Sequence, residues 1–403
     1  MNANSVIRAP QRFNVDYLSS LNIQTYGSDN LYPQRMYDLI QNSPTGSSCM
    51  ERYMTFIEGN GLRNKDFSEY ICNHKGETID DIYGLIASDM AMYHGFALHV
   101  NYNMACEIVE LQHIPFKDCR LEEEEEDGTI VYINVHPDWS GQRTRKGKAI
   151  PVDKKNVKKI YLFNPIPNVV LSQIEASGGI ENYQGQILWV SMDGKYQYPK
   201  PIYDKIVTNL STDEGLDNVK YRNVRNGFML AGMFVHRKGM SIEQYDEEGN
   251  LIPQSVEDDE YDFSKSLDVF QGDINCCSIM DVTINSEEEK PEFINVEGTN
   301  YDKKFDSTET STIERIYSAF SQECFYLIRT GKTGWSASVL QEAYEYYNSY
   351  VSKQRRAISR ALKKIFDRWY EVANQTEDYE IEPLLYISNQ STESNNGTTN
   401  NSK

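Results

Sequence analysis

Between Ser43 and Gly59 the apolar positions Cys49, Tyr53, Met54 and Ile57 recur at helical steps. Ser43-Pro44 reads as an N-cap followed by the first helical position, and Gly59 as the stop. A second helix is predicted from Thr78, with Ile79, Ile82, Tyr83, Ile86 and Met90 on one face and Gly95 ending it. The period then changes. Residues 96–102 (FALHVNY) and 106–114 (CEIVELQHI) read as two strands around Asn103, Met104 and Ala105, a hairpin pattern. Strand-like runs follow at 129–135, 157–164 and 186–192, so that 96–195 is predicted as an antiparallel sheet with long loops. Residues 1–30 read as an irregular, extended arm.

Helical spacing returns over 201–226, after Pro199 and Pro201. The apolar face there is thin (Ile202, Ile206, Val207, Leu210, Leu216, Val219 and Val224), and the helix bears Lys205, Lys220, Arg222 and Arg225. Short strands are predicted at 228–236, 266–270 and 275–284. A further helix is signalled from Ser307, with Ser311 and Glu314 as a capping box. Its stripe is Ile313, Ile316, Tyr317, Phe320, Cys324 and Leu327. TGKTGW at 330–335 interrupts it, and a long helix runs from Ser336 or Ser338 to Tyr370. Leu340, Tyr344, Tyr347, Val351, Ile358, Leu362, Ile365 and Trp369 form its apolar side. Glu342 and Glu345 near its start, with Arg360, Lys363, Lys364 and Arg368 near its end, complement the helix dipole. The Ser/Asn/Thr-rich run at 388–403 reads as disordered.

Composition adjusts this picture. The chain has 403 residues, only 39% of them apolar, and a mean hydropathy of −0.61. That is lean for a monomer of 46.5 kDa and suits an elongated subunit that completes its burial against neighbours. No stretch of 18 apolar residues and no charged-then-apolar leader are seen, so neither a membrane span nor a signal peptide is expected. Seven cysteines, with Cys276 and Cys277 adjacent and no C-x-x-C, point to reduced thiols. The net charge of −20 argues against a generic nucleic-acid coat protein, but not against a surface that DNA slides past. The charge is uneven: 17 acidic residues against Lys265 and Lys290 lie between Glu243 and Glu297. Six acids run from Glu122 to Asp127, and eight bases with one acid from Arg143 to Lys159; both blocks read as solvated loops facing one another.

Catalytic motifs are missing. A phosphate loop ending in GKT (331–333) needs glycine where Tyr326 stands. The Gly-x-Gly-x-x-Gly, H-E-x-x-H and G-x-S-x-G patterns are absent, and the six histidines are scattered. No catalytic residue, metal or cofactor is expected, and the chain does not read as an enzyme.

The order of parts resembles the portal, or head–tail connector, proteins of tailed bacteriophages. Residues 28–62 look like a portal opening, with Asn-x-Tyr-Pro, a Ser-Pro helix start and a Gly-x-Gly ending. YPKPIYDKI (198–206) with NVKYRNVRNGFMLAGMFV (218–235) is similar to the passage into the portal clip, and 318–362 resembles helix, tunnel loop and long wing helix. The likeness spans most of 28–370. It implies an α+β, portal-like fold with an antiparallel β wing and long helices, a two-helix stem and a small β-containing clip insertion. The implied segments are an N-terminal arm (1–27), wing (28–200), first stem helix (201–227), acidic clip (228–304), second stem helix (305–329), tunnel loop (330–335), long wing helix (336–375) and a mostly disordered tail (376–403). A helical crown is reduced or absent.

The resemblance also implies a ring, usually of twelve copies, at one capsid vertex of the virion, assembled in the host cytoplasm. Its partners would be double-stranded DNA in the channel, the terminase large subunit, major capsid protein and scaffold, and a neck or tail adaptor. No membrane partner is implied. The residues so marked are Arg329, Thr330, Gly331, Lys332, Thr333, Gly334 and Trp335 in the tunnel loop, Lys220, Arg222 and Arg225 in the stem, and Asp258, Asp259 and Glu260 for docking on the clip. Another phage neck or tail structural protein is the nearest alternative. A nucleic-acid-processing enzyme and a glycan-binding module are more distant ones.

Overall fold

The structure is a computed structural model, described here for residues 15–142, 144–145, 148–225, 232–237, 279–284, 301–334 and 336–386. It divides into two compact units: Met1–Ser211 with Thr312–Lys403, and Thr212–Ser311.

The first unit opens with a small hairpin, β1 (Tyr17–Leu18) and β2 (Ile23–Gln24). Helices α1 (Tyr32–Asn42), α2 (Pro44–Glu58), α3 (Lys65–Ser68) and α4 (Ile79–Tyr93) follow. The α2 boundaries match the sequence reading. Ser43 caps through its side chain to the Gly46 amide, and Gly59 ends the helix at φ +61°. Thr78 and Asp81 form a reciprocal capping box on α4. The stop is His94 in the left-handed region, not Gly95. Gly95 opens the next strand instead, where a Cβ would stand 2.6 Å from the Val190 carbonyl.

Strands β3 (Gly95–Tyr102), β4 (Ile108–Ile114), β5 (Cys119–Leu121), β6 (Tyr132–Val135), β9 (Lys158–Leu162) and β10 (Gln186–Ser191) form one sheet. Its order is β4-β3-β10-β9-β6-β5, while β7 (Thr144–Arg145) and β8 (Lys148–Ala149) make a separate hairpin. The expectation of an antiparallel sheet is corrected at one place, since β9 and β10 pair in parallel. The cause is helix α5 (Pro167–Ala176) between them, starting at a proline and burying Val170 and Ile174 one turn apart. A parallel pair needs such a crossover, and α5 stands where the sequence pattern predicts a loop.

Both sheet edges are covered. On β4 the Leu111 amide donates to the Cys72 carbonyl, and Ile108 exchanges backbone bonds with Arg368 and Tyr370. On β5 the chain continues into Glu122, which bridges to Ile23, and the Glu123 amide donates to Asn22. The N-terminal segment is therefore built in from residue 15 rather than an arm. Tyr26 is fully buried and stacks on Tyr198 and Tyr32 at centroid distances of 4.1 and 5.3 Å. Arg120, also without exposed surface, holds this segment by donating to the side chain and carbonyl of Asn30, while its other bonds go to the Lys117 and Cys119 carbonyls of its own stretch. Nor is Glu122 a solvated loop residue: it is buried, pairs with Lys159 and accepts from Asn22.

After a 3-10 turn at Ile202–Ile206, helix α6 runs over Val207–Arg225. Helix α7 (Tyr301–Ala319) begins well before Ser311, so the Ser311/Glu314 capping box is not formed and both residues lie inside the helix. Residues 305–329 are not one helix either. Ser321, at φ +53°, separates α7 from α8 (Glu323–Arg329). The long helix after 336 is likewise two, α9 (Ala337–Tyr350) capped by Ser336, and α10 (Ser352–Phe366), parted only by Val351. Helix α10 packs Ile358, Ala361, Leu362 and Ile365 into the core shared with α2 and α4. The first residues of the supposed tail are ordered parts of this unit: Tyr379 and Ile381 are buried, Ile381 bridges to Leu62, and Arg63 pairs with Asp378 and Glu380. The disorder expected at 388–403 lies outside the described residues.

The second unit contains the ends of α6 and α7 that enter it, with β11 (Gly232–Arg237) and β12 (Ile279–Ile284) paired in parallel. The predicted strand at 266–270, and most of the acidic stretch Glu243–Glu297, lie outside the described residues.

Candidate functional site

The turn that joins α8 to α9 is anchored by a buried amide. Gln322, without exposed surface, sits at the α7–α8 break. Its Nε2 donates to the Cys49 carbonyl of α2 and to Tyr347 Oη of α9, both at 2.8 Å, and its Oε1 accepts from Arg52 at 3.1 Å. Tyr347 Oη donates in turn to the Phe320 carbonyl at 3.0 Å. Phe56, Phe325, Tyr344 and Tyr347 interlock around this point with edge-to-face and tilted rings. One polar side chain thus fixes how α8 leaves α7 and how α9 returns. The sequence reading missed it, because a lone glutamine at a helix break has no periodic signature.

Beyond the anchor, Arg329 donates to Tyr317 Oη at 3.0 Å, and the Tyr317 and Tyr326 rings lie 5.2 Å apart. Thr330 Oγ1 donates to the Tyr326 and Leu327 carbonyls. Gly331 takes φ +70°, and the Thr333 amide reaches back to the Leu327 carbonyl at 3.3 Å, a glycine-type helix ending. The glycine is needed at that backbone angle. Gly334 has open space around it. Lys332 folds back: its Nζ lies 3.5 Å from Glu314 and 5.6 Å from the centre of the Tyr326 ring, while more than half of the side chain stays exposed. Burial, then the nearby Glu314 carboxylate, raises the Tyr326 phenol above its ordinary value. The turn is compact, and its cation is held beside an acid. Trp335 lies outside the described residues.

Of the stem residues, Lys220 on α6 pairs with Glu309 on α7, and this hydrogen bond raises its pKa. Arg222 and Arg225 are on the last turns of α6, where only the backbone is described. Asp258, Asp259 and Glu260 lie outside the described residues. The turn residues Arg329–Gly334 are brought together, and Lys220 is placed against the second helix. Among the described residues, no group of three or more His, Cys, Asp or Glu is placed to hold a metal ion. None of their helices is long and apolar enough to cross a membrane.

No family model matches the chain, and no curated relative does. Among solved structures it is similar to a chain of the virion of a native gene transfer agent particle, at 11% identity and TM-score 0.43, covering 84% of this chain and 82% of that one. A chain from the neck of the native particle, computed with C12 symmetry, gives 11% identity and TM-score 0.42, with 82% and 81% covered. One from the neck of the empty particle, computed with C6 symmetry, gives 10% and 0.43, with 88% and 85% covered.

Proposed function

We propose that this chain is a portal-type subunit. Copies close into a ring at one vertex of a phage-like capsid, pass double-stranded DNA through the centre, and dock the terminase large subunit and later a neck or tail adaptor. The major capsid protein and scaffold surround the ring. The observation that carries this reading is the helix arrangement: α6 and α7 flank a β-containing acidic insertion in the chain and are tied by Lys220 and Glu309. The second of them then breaks, turns at Gly331 and enters the paired helices α9 and α10. Exposed apolar residues on these helices, Val219 and Tyr221 on α6 and Leu327 on α8, supply surface for neighbouring copies.

In this reading the turn at 330–335 faces the channel, and Lys332, released from Glu314, touches passing phosphates. The acidic clip presents Asp258, Asp259 and Glu260 to the motor or adaptor, so docking weakens with added salt. No catalytic step is assigned to the chain. Negative-stain images of the purified full-length protein test the central claim, and rings with a central hole are expected. A monodisperse 46.5 kDa monomer by light scattering, across salt and protein concentration, would overturn it.

A further inference from the structure

The outward side of α10 concentrates positive charge that nothing described so far uses. Lys353, Arg356, Arg360, Lys363, Lys364 and Arg368 are all exposed. At 100° per residue the five on the helix fall within an arc of roughly 100°, opposite the buried Ile358, Leu362 and Ile365, and Arg368 follows in the turn after it. From residue 353 to 368 the one acid is Asp367, and Lys363 pairs with it at 3.0 Å. Among the described residues, Lys353, Arg356, Arg360, Lys364 and Arg368 form no ion pair.

Helix stability does not call for this pattern. The dipole favours Lys363, Lys364 and Arg368 at the C-terminal end, but not Lys353 and Arg356 in the first turns, where no acid stands. Bases three and four positions apart repel one another. The excess is also local, in a chain of net charge −20. On one side the arc borders a groove of about 460 Å³, where Arg356, Arg360 and Lys363 face Glu377, Asp378 and Glu380. Arg63 already engages Asp378 and Glu380, at 3.6 and 2.6 Å. Lys353, Lys364 and Arg368 lie outside the groove, so the free charge is on the outer side.

The chemistry of the arc selects its partner. Between the charged residues stands only Ala357, so there is no aromatic or aliphatic anchor of the kind that centres a protein interface. A helix that lies on a membrane needs a free apolar face, and the apolar face of α10 is packed in the core. What remains is a row of cations about one helical turn apart, spread over about 17 Å of the helix, which fits a ladder of phosphates.

We propose that this arc binds the phosphate backbone of a double-stranded nucleic acid without regard to base sequence, at a place separate from the turn at 330–334. The inference does not depend on ring formation. It is tested on the full-length protein by fluorescence anisotropy with a labelled duplex of about 30 base pairs, titrated between 50 and 200 mM salt. Four phosphate contacts give a slope of log K against log salt of about −3.6, a loss of roughly a hundredfold in affinity over that range. The variant Lys353→Glu/Arg360→Glu/Lys364→Glu is expected to weaken binding at least tenfold and to flatten the slope by about 2.7. Lys75→Glu, at an exposed lysine outside both the arc and the turn, is expected to leave both unchanged. A circular dichroism melt checks that the variant folds, and if it does not, the milder Gln substitutions at the same three positions are used. Absence of binding at 50 mM salt, unchanged affinity in the triple variant, or an equal loss with Lys75→Glu alone overturns the proposal. So does capture of a peptide spanning 243–297 by this arc when duplex is not bound, which would make it a protein interface. Rings seen without duplex binding sink this inference and leave the portal reading standing; duplex binding without rings does the reverse.

Discussion

Replacing Gln322 by leucine removes three hydrogen bonds with almost no change in volume. Two are neutral, to the Cys49 carbonyl and Tyr347 Oη, and about 1 kcal/mol each is expected for them. The third comes from the half-buried Arg52 guanidinium, whose lost partner water replaces in part, so the low end of the charged range, about 1.5 kcal/mol, applies. The partners are not stranded. Tyr347 still donates to Phe320, and the Cys49 carbonyl lies inside α2 with its helical bond. The full desolvation penalty is therefore avoided, and the loss is about 3.5 kcal/mol. For a unit larger than 200 residues that corresponds to a fall in Tm of roughly 7 °C. Far-UV circular dichroism melts of the wild type, Gln322→Leu and the exposed control Gln142→Leu measure it, and hydrogen exchange should quicken across 321–333 in Gln322→Leu only. A shift within 1 °C of the control, with exchange unaltered, would refute the claim that this amide sets the helix break.

Gly59 has φ +61° and ψ −141°, a region reserved for glycine, and an added Cβ would stand 2.1 Å from the Glu382 carbonyl. Gly59→Ala should cost about 1–3 kcal/mol from the backbone alone and expose residues 377–386 to protease; an unchanged digestion pattern counts against that contact. Burial pushes the Glu110 carboxyl up, but hydrogen bonds from Asn101, Gln112 and His74 outweigh it and hold the pKa at about 2, below the ordinary 4.5. A depressed folded value means the stabilisation is present above pH 4.5 and is lost as pH falls towards 2. The gap in unfolding midpoint between wild type and Glu110→Gln should therefore close over that window, and a gap that ignores pH would contradict it. Lys332→Glu sets a carboxylate beside Glu314 at an exposed site, so stability should move by no more than about 0.5 kcal/mol. Under the portal reading the same variant assembles rings but yields fewer DNA-filled heads, and normal yields would make the turn a plain connector.

Sequence patterns found the elements whose signals are local. Ser43-Pro44, the Thr78 cap, the β3–β4 hairpin and the apolar stripe Tyr347, Val351, Ile358, Leu362 and Ile365 stand where periodicity put them. What failed depends on contacts between distant segments. The parallel pairing of β9 and β10 follows from α5, a ten-residue helix with only two buried side chains, too thin a stripe to read. Ser311 and Glu314 have the spacing of a capping box, but α7 runs through both, and Glu309 ahead of them is paired with Lys220 on α6. The ordered parts at both ends escaped for a similar reason. Tyr26 is buried only because Tyr198 and Arg120 are brought beside it, and Ile381 only because Leu62 is. In the candidate site the glycine turn was legible as two glycines between helical runs. The Gln322 anchor and the return of Lys332 onto Glu314 were not, since neither leaves a mark in spacing.

The closed sheet edges limit how copies of this chain can associate. An open edge strand offers unpaired backbone groups to another chain, and pairing through it is the low-cost route to open-ended assembly. In the six-stranded sheet that route is shut at β4 by Cys72, Arg368 and Tyr370, and at β5 by the N-terminal hairpin and Glu122. Apart from Tyr17 and Leu18 on β1, the exposed large apolar side chains described for this unit lie on helices and loops, with Leu85 on α4, Leu171 on α5, Leu327 on α8 and Tyr346 on α9 among them. Association of this unit through side chains of fixed helices has a set geometry, whereas strand addition to a free edge repeats without limit. Under the portal reading, which requires a fixed rotation between neighbours, the covered edges would leave the helical surfaces to set the angle. Polar substitution at Leu327 or Tyr346 is then the change that should dissociate an assembly while leaving the sheet and its core intact.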